Sequence, residues 1–204
     1  MPLIPIAGGG LNIVAGLLYF QQMRQNQSKP NPASWIVWSF IGILNVLSWS
    51  TLSESSFWDS FQFWVSVTAV LLITLYASFT SRFSHLNRHE IVILVLGIVA
   101  SLFWWFFQSA EGANMIIIVA YILSYIPTIE GLLKDPQKER PLPWVFWGLA
   151  FGFSAANILV TKSDILGVLS PGILMGLHLT VAWLASRKVD SPQRLEAKEN
   201  HQNI

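Results

Sequence analysis

Lys29-Pro30-Asn31-Pro32-Ala33-Ser34-Trp35-Ile36-Val37-Trp38 is written a second time, 109 residues further on, as Lys138-Glu139-Arg140-Pro141-Leu142-Pro143-Trp144-Val145-Phe146-Trp147. The Lys, one Pro and both Trp recur at identical spacing, and each block opens a long apolar run. A basic, proline-marked loop that enters a helix at W-x-x-W is thus repeated. A repeat at fixed offset decides the architecture before any local reading does.

The apolar runs say which solvent the repeat is built for. Of 204 residues, 53% are hydrophobic and 11% charged, against about 25% charged in a soluble domain. Seven stretches approach the roughly 20 apolar residues that a membrane-crossing helix needs. They fall near 3–21, 33–52, 58–79, 89–107, 114–133, 142–160 and 165–186. The chain therefore reads as an all-α polytopic membrane protein. The first stretch carries Pro2, Pro5 and Gly8-Gly9-Gly10 but no Lys or Arg in residues 1–10. It reads as part of a span, since a secretory leader begins with positive charge.

Charge gives the orientation. Arg24, Lys29, Arg82, Arg88, Lys134, Lys138, Arg140, Arg187, Lys188, Arg194 and Lys198 fall on one side of a seven-span map, and Lys162 alone on the other. Lys and Arg concentrate in cytoplasmic loops, so the amino terminus is expected outside and the carboxyl terminus in the cytoplasm of a cell-membrane protein. Both W-x-x-W blocks then enter the bilayer from the cytoplasm. The repeating units are spans one to three and five to seven, running in parallel, with span four as linker. The expected divisions are 1–83 for the first unit, 84–110 for the linker helix, 111–188 for the second unit and 189–204 for a cytoplasmic tail. Parallel repeats about an axis along the membrane normal are a transporter layout.

Transporter sites lie near mid-bilayer between repeats. At that depth span two offers Asn45, Ser48 and Trp49 on one helix face, and span six offers Ser154 and Asn157, with Asn45 opposite Ser154 and Ser48 opposite Asn157 at the repeat offset. Amide and hydroxyl groups present donors and acceptors to a polyol-like solute, and Trp49 offers a stacking face. The same amides also serve as interhelical hydrogen-bonding groups, so site and packing roles both stand. Span three adds Ser66 and Thr68, and span seven adds His178, whose imidazole is the mid-membrane group that titrates near neutrality. Trp35, Trp38, Trp144 and Trp147 read as interfacial belt residues that set the depth of spans two and six. The chemistry is expected two to three turns further in. Pro127 removes a helix hydrogen bond and reads as a hinge, Pro171 as static packing.

Several classes are excluded. There is no cysteine, hence no disulfide or thiolate chemistry. No motif for a metal site, a phosphate loop or an intramembrane enzyme is present, and span seven has no Lys for a retinal Schiff base. Apart from Asp59 and Glu90 at the first turns of spans three and four, the one carboxylate within the spans is Glu130, one turn before Lys134 at ion-pairing distance in sequence. Ion-coupled carriers bury carboxylates, so a facilitator is expected: no cofactor, no metal, no nucleic acid, with the bilayer and a small-molecule substrate as partners and a homo-oligomer left open.

The second unit carries Ser124-Tyr125-Ile126-Pro127-Thr128-Ile129, then the basic run from Lys134 to Arg140, then Pro143-Trp144. With the 3-1-3 layout this resembles the SWEET and PQ-loop transporter superfamily; Pro127 matches the family's proline, and Thr128 stands at its glutamine. The resemblance implies alternating access and a central substrate surrounded by Asn, Ser and Trp side chains, as in sugar transport. Vitamin transporters of the nicotinamide riboside type are similar in layout and also Trp-rich. A seven-helix signalling or scaffold protein is the non-transport alternative.

Overall fold

A computed structural model of the chain describes residues 3–30, 32–52, 57–80, 88–107, 110–162 and 165–187. They form seven α-helices: α1 (Leu3–Arg24), α2 (Pro32–Leu52), α3 (Phe57–Thr80), α4 (Arg88–Phe107), α5 (Ala110–Lys134), α6 (Pro141–Lys162) and α7 (Ile165–Ala185). A 3₁₀ turn, Pro136–Lys138, precedes α6. Each expected span corresponds to one helix. The expected tail, 189–204, lies outside the described residues.

Among the described residues, five helices are long and apolar enough to cross a membrane: Leu3–Arg24, Phe61–Thr80, Met115–Lys134, Pro141–Thr161 and Gly167–Ala185. Their outward faces are as apolar as the core. Leu17, Leu72, Leu75, Phe79, Met115, Val160 and Trp183 are exposed, an area of greasy surface that water does not tolerate and a bilayer does. The chain is an all-helical, multi-pass membrane protein.

Within the first half, α3 packs against both α1 and α2; within the second, α7 packs against both α5 and α6. Across the halves α1 lies on α6 and α2 on α5, while α4 leans on α2 and α5. The α1–α6 seam is the more extensive of the two, and side-chain size is the reason. The buried stripe of α1 holds Gly8, Gly9, Asn12 and Ala15, and small residues let helix backbones approach. A Cβ at Gly8 would run into the Gln62 side chain, with the Ala150 carbonyl oxygen 3.4 Å away. Gln62 uses this space to donate its amide to the Ala150 carbonyl, tying α3 to α6. Gly8 and Gly9 are therefore close-approach points.

The ends of the helices are locally determined. α1 stops at Asn26, which adopts φ 55°, the left-handed conformation that Asn tolerates. Asn26 N–H donates to the Met23 carbonyl and Gln27 N–H to that of Gln22, the bond pair of a Schellman C-cap. On the other half, Asp135 caps the 3₁₀ turn by accepting from Gln137 N–H at 3.0 Å, and Pro136 is buried at its first position. Arg187 ties the end of α7 to the Leu132 carbonyl of α5 at 2.9 Å. Both loops are thus pinned where they enter the repeated block.

Candidate functional site

The four repeated tryptophans are turned inward. Trp35, Trp38, Trp144 and Trp147 are each at most 6% exposed, which corrects the expectation that they form a lipid-facing belt. Trp35 and Trp38 stand edge to face with ring centroids 5.1 Å apart, Trp144 and Trp147 likewise at 5.4 Å. Between the halves, Trp35 meets Trp147 at 6.0 Å and Trp38 meets Trp144 at 5.9 Å. The equivalent pair Trp35 and Trp144 stand 6.5 Å apart. These are the separations at which aromatic pairs attract beyond their buried area.

Around this cluster lies a cavity of about 50 Å³. Its aromatic wall is completed by Tyr121 and Tyr125 of α5 and Phe151 of α6; Ser66 of α3 and His178 of α7 add polar groups. A volume of this size takes a few water molecules and is well below the few hundred Å³ of a typical ligand pocket. The aromatic rings have to separate before a ring-sized solute can enter.

Three polar groups of the cavity wall, Trp38, Tyr125 and His178, are paired. The Trp38 indole N–H donates to Ser124 Oγ at 2.6 Å, and Ser124 donates to the Tyr121 carbonyl. His178 Nδ1 lies 2.7 Å from the Leu174 carbonyl; a carbonyl only accepts, so Nδ1 bears the proton. The Tyr125 hydroxyl lies 3.0 Å from Nε2 and 3.1 Å from Nδ1. His178 is thus an oriented group in the cavity wall.

Beneath the tryptophans, at the loop end, sits a carboxylate. Glu139 is 5% exposed although its neighbours Lys138 and Arg140 face solvent. Its extended backbone, φ −132°, turns the side chain inward. There Oε1 accepts from the Tyr19 hydroxyl at 2.8 Å and Oε2 from the Trp144 indole at a longer 3.4 Å. Tyr19 is fully buried and packs on Trp35 at 4.8 Å and Trp147 at 5.5 Å. Burial pushes the Glu139 carboxyl up to about 7, against the opposing effect of its donors Tyr19, Trp144 and Ser28. Beside it Lys29 N–H donates to the Lys138 carbonyl at 2.9 Å, so the two repeat-equivalent lysines join the loops directly.

Among the residues expected at the site, His178 lies in the cavity wall. Asn45 is half-buried and Ser154 and Asn157 are buried, but none of the three lines the cavity, which ends short of them at Gly42 on α2 and Phe151 on α6. The side chains of Ser48 and Trp49 lie outside the described residues. Thr68 is exposed, donates to the Trp64 carbonyl, and lines an apolar groove between α1 and α3 instead. Helix α5 continues through Pro127 without interruption.

Tyr19, Tyr125 and Glu139 were not anticipated. The two tyrosines carried a signal, being polar-tipped rings inside otherwise apolar runs; Glu139, between two cations, carried none. Asn12 of α1 also escaped. It is fully buried, and neither end of its amide has a partner among the described residues. Among those residues no group of three His, Asp or Glu stands close enough to hold a metal.

Comparison with protein families, with characterised proteins and with solved structures returned no match. Function therefore rests on the geometry above.

Proposed function

We propose that the chain is a facilitative transporter of a small, neutral, polar solute, working by alternating access. The moving parts are two parallel three-helix repeats, α1–α3 and α5–α7, with α4 as the linker. The observation that carries the reading is the cavity between the halves, walled by the repeated tryptophans. Three facts support the repeat. Exchanging α1 with α5 and α2 with α6 maps the α1–α6 seam onto the α5–α2 seam. The cross-pairs Trp35–Trp147 and Trp38–Trp144 have nearly equal spacing. The loops meet at equivalent lysines. All three agree with a near two-fold axis passing between Trp35 and Trp144, and with the resemblance to the SWEET and PQ-loop superfamily.

In this reading the loop end is cytoplasmic and the observed state is occluded. The solute contacts the tryptophans and His178 first. Asn45, Ser48, Trp49, Ser154 and Asn157 lie further along α2 and α6 and meet it when the opposite end opens. Pro127 supplies the hinge in α5, and Thr68 lies off the path. A second solute class lies outside the neutral set: the lining offers aromatic faces and few hydrogen-bonding groups, which suits the planar, cationic pyridinium ring of nicotinamide riboside better than a sugar. Uptake into proteoliposomes decides between them, with radiolabelled glucose and nicotinamide riboside as the solutes. Saturable entry of one, lost in Trp147→Ala, is expected; entry of neither assigns the chain to the non-transport class.

A further inference from the structure

Glu139 does not line the cavity, yet it joins several segments. It belongs to the loop ahead of α6, accepts from Tyr19 of α1 and from Trp144 of α6, and is adjoined by Ser28 of the loop after α1. The Lys29–Lys138 backbone bond lies next to it. Parting the two halves at this end must break the Tyr19 contact and bring the carboxyl to water.

We propose that Glu139 is a proton-operated latch across the seam between the two halves: protonated, it keeps the loop end closed; ionised, it lets that end open. The inference concerns the conformation of the seam and does not depend on what, if anything, crosses it.

Proton linkage sets the direction. The closed seam holds the carboxyl where burial raises it to about 7. An opened seam returns it to water and to the ordinary value of about 4.3. The closed form therefore binds the proton more tightly. Below about pH 4 both forms are protonated and the closed form has its full advantage. As pH climbs toward 7 that advantage falls by up to tenfold per unit, and above 7 it is spent. The proton leaves to water as the seam opens.

Among the described residues no cation counts among the causes that act on the Glu139 carboxyl. Arg24 at the end of α1, Lys29, Lys134 of α5, Lys138 of the 3₁₀ turn and Arg140 are exposed. Arg187 after α7 is committed to the Leu132 carbonyl, and Asp135 to capping. His178 lies beyond the Trp144 ring, its centroid 5.7 Å from that of the indole. The groups bonded to Glu139 are neutral donors.

The absence of cysteine makes the test direct. Ser28→Cys puts one thiol in the buried seam, and Gln137→Cys puts one on the exposed turn as a control for thiol ionisation. Each purified protein is labelled with a charged maleimide in detergent between pH 5.5 and 8.5, and the ratio of the two rates is read. The ratio should stay low at pH 5.5 and rise at least tenfold by pH 8. In Glu139→Gln, which cannot lose the proton, it should stay low throughout. In Tyr19→Phe, which removes a donor to the ionised form, the rise should shift to higher pH. A ratio independent of pH in the parent protein, or a rise that persists in Glu139→Gln, would overturn the latch. Should Glu139→Gln not fold, the direction of the Tyr19→Phe shift decides.

Discussion

The two copies of the repeated block share a frame and differ in chemistry. Trp35 and Trp38 have counterparts in Trp144 and Trp147, and Lys29 in Lys138. Yet at the same offset Glu139 stands where the first copy has Pro30, His178 where it has Ala69, Tyr125 where it has Gly16, and Tyr19 faces Thr128. The aromatic cavity is therefore built by both halves. The acceptor at its base and the imidazole in its wall come from the second half alone, and the first contributes the donor Tyr19. In the proposed duplicated scaffold the ring stack is needed twice to close about the axis, and a polar group on or near that axis once.

The comparison can be broken most severely at the shared rings. Trp144 touches Tyr19, Trp35, Trp38, Tyr125, Trp147 and His178, whereas Trp35 touches Tyr19 and the other three tryptophans. Trp144→Ala should cost about 3–5 kcal/mol, the usual toll of emptying a packed aromatic site, and Trp35→Ala less. Trp183→Ala, at a residue 64% exposed, should fall within about 0.5 kcal/mol. Thermal unfolding in one detergent compares the three.

Next in size is the pH dependence contributed by Glu139. Its folded-state pKa is raised, so its contribution to stability is complete below the unfolded value near 4.3 and is lost as pH rises through about 7. Between pH 4.5 and 8 the parent protein should lose up to about 3 kcal/mol relative to Glu139→Gln. Melting curves of the two proteins should therefore diverge across that window.

A smaller effect tests why the two seams differ. Gly8 and Gly9 of α1 correspond to Ile117 and Ile118 of α5, and the α1–α6 seam is the closer for it. Gly8→Ala must displace Gln62 from its bond to Ala150 and should cost about 1–3 kcal/mol. Gly10→Ala, with open space around the added carbon, should be neutral or stabilise by up to about 1 kcal/mol. Smallest is Tyr125→Phe, which deletes one hydrogen bond to His178 and should cost about 1 kcal/mol.

How much of this was legible follows from what each signal can encode. Hydropathy located all seven helices, because a long apolar run of that length has few other structures open to it. The spacing of Lys, Pro, Trp and Trp marked the elements that meet at the centre. Helical periodicity places Asn45, Ser48 and Trp49 on one face but says nothing of where that face points relative to another helix, so equal depth in α2 and α6 did not bring Asn45 and Asn157 to the cavity. Tryptophan is at home at a bilayer interface and in a packed core, and composition does not separate the two. Glu139 was hidden by its neighbours: Lys138 and Arg140 made a charged loop of it, and only the extended backbone turns its side chain inward.

The central claim is that the halves move against each other around the tryptophan cavity. Lys29→Cys with Lys138→Cys places the chain's only two thiols at the backbone bond between the repeat loops, so oxidation would join the halves covalently. Flux of glucose and of nicotinamide riboside is then measured in proteoliposomes, oxidised and after reduction. The account predicts entry of one solute that stops on oxidation and returns on reduction; entry unchanged by the crosslink, or entry of neither solute in the reduced protein, would contradict it.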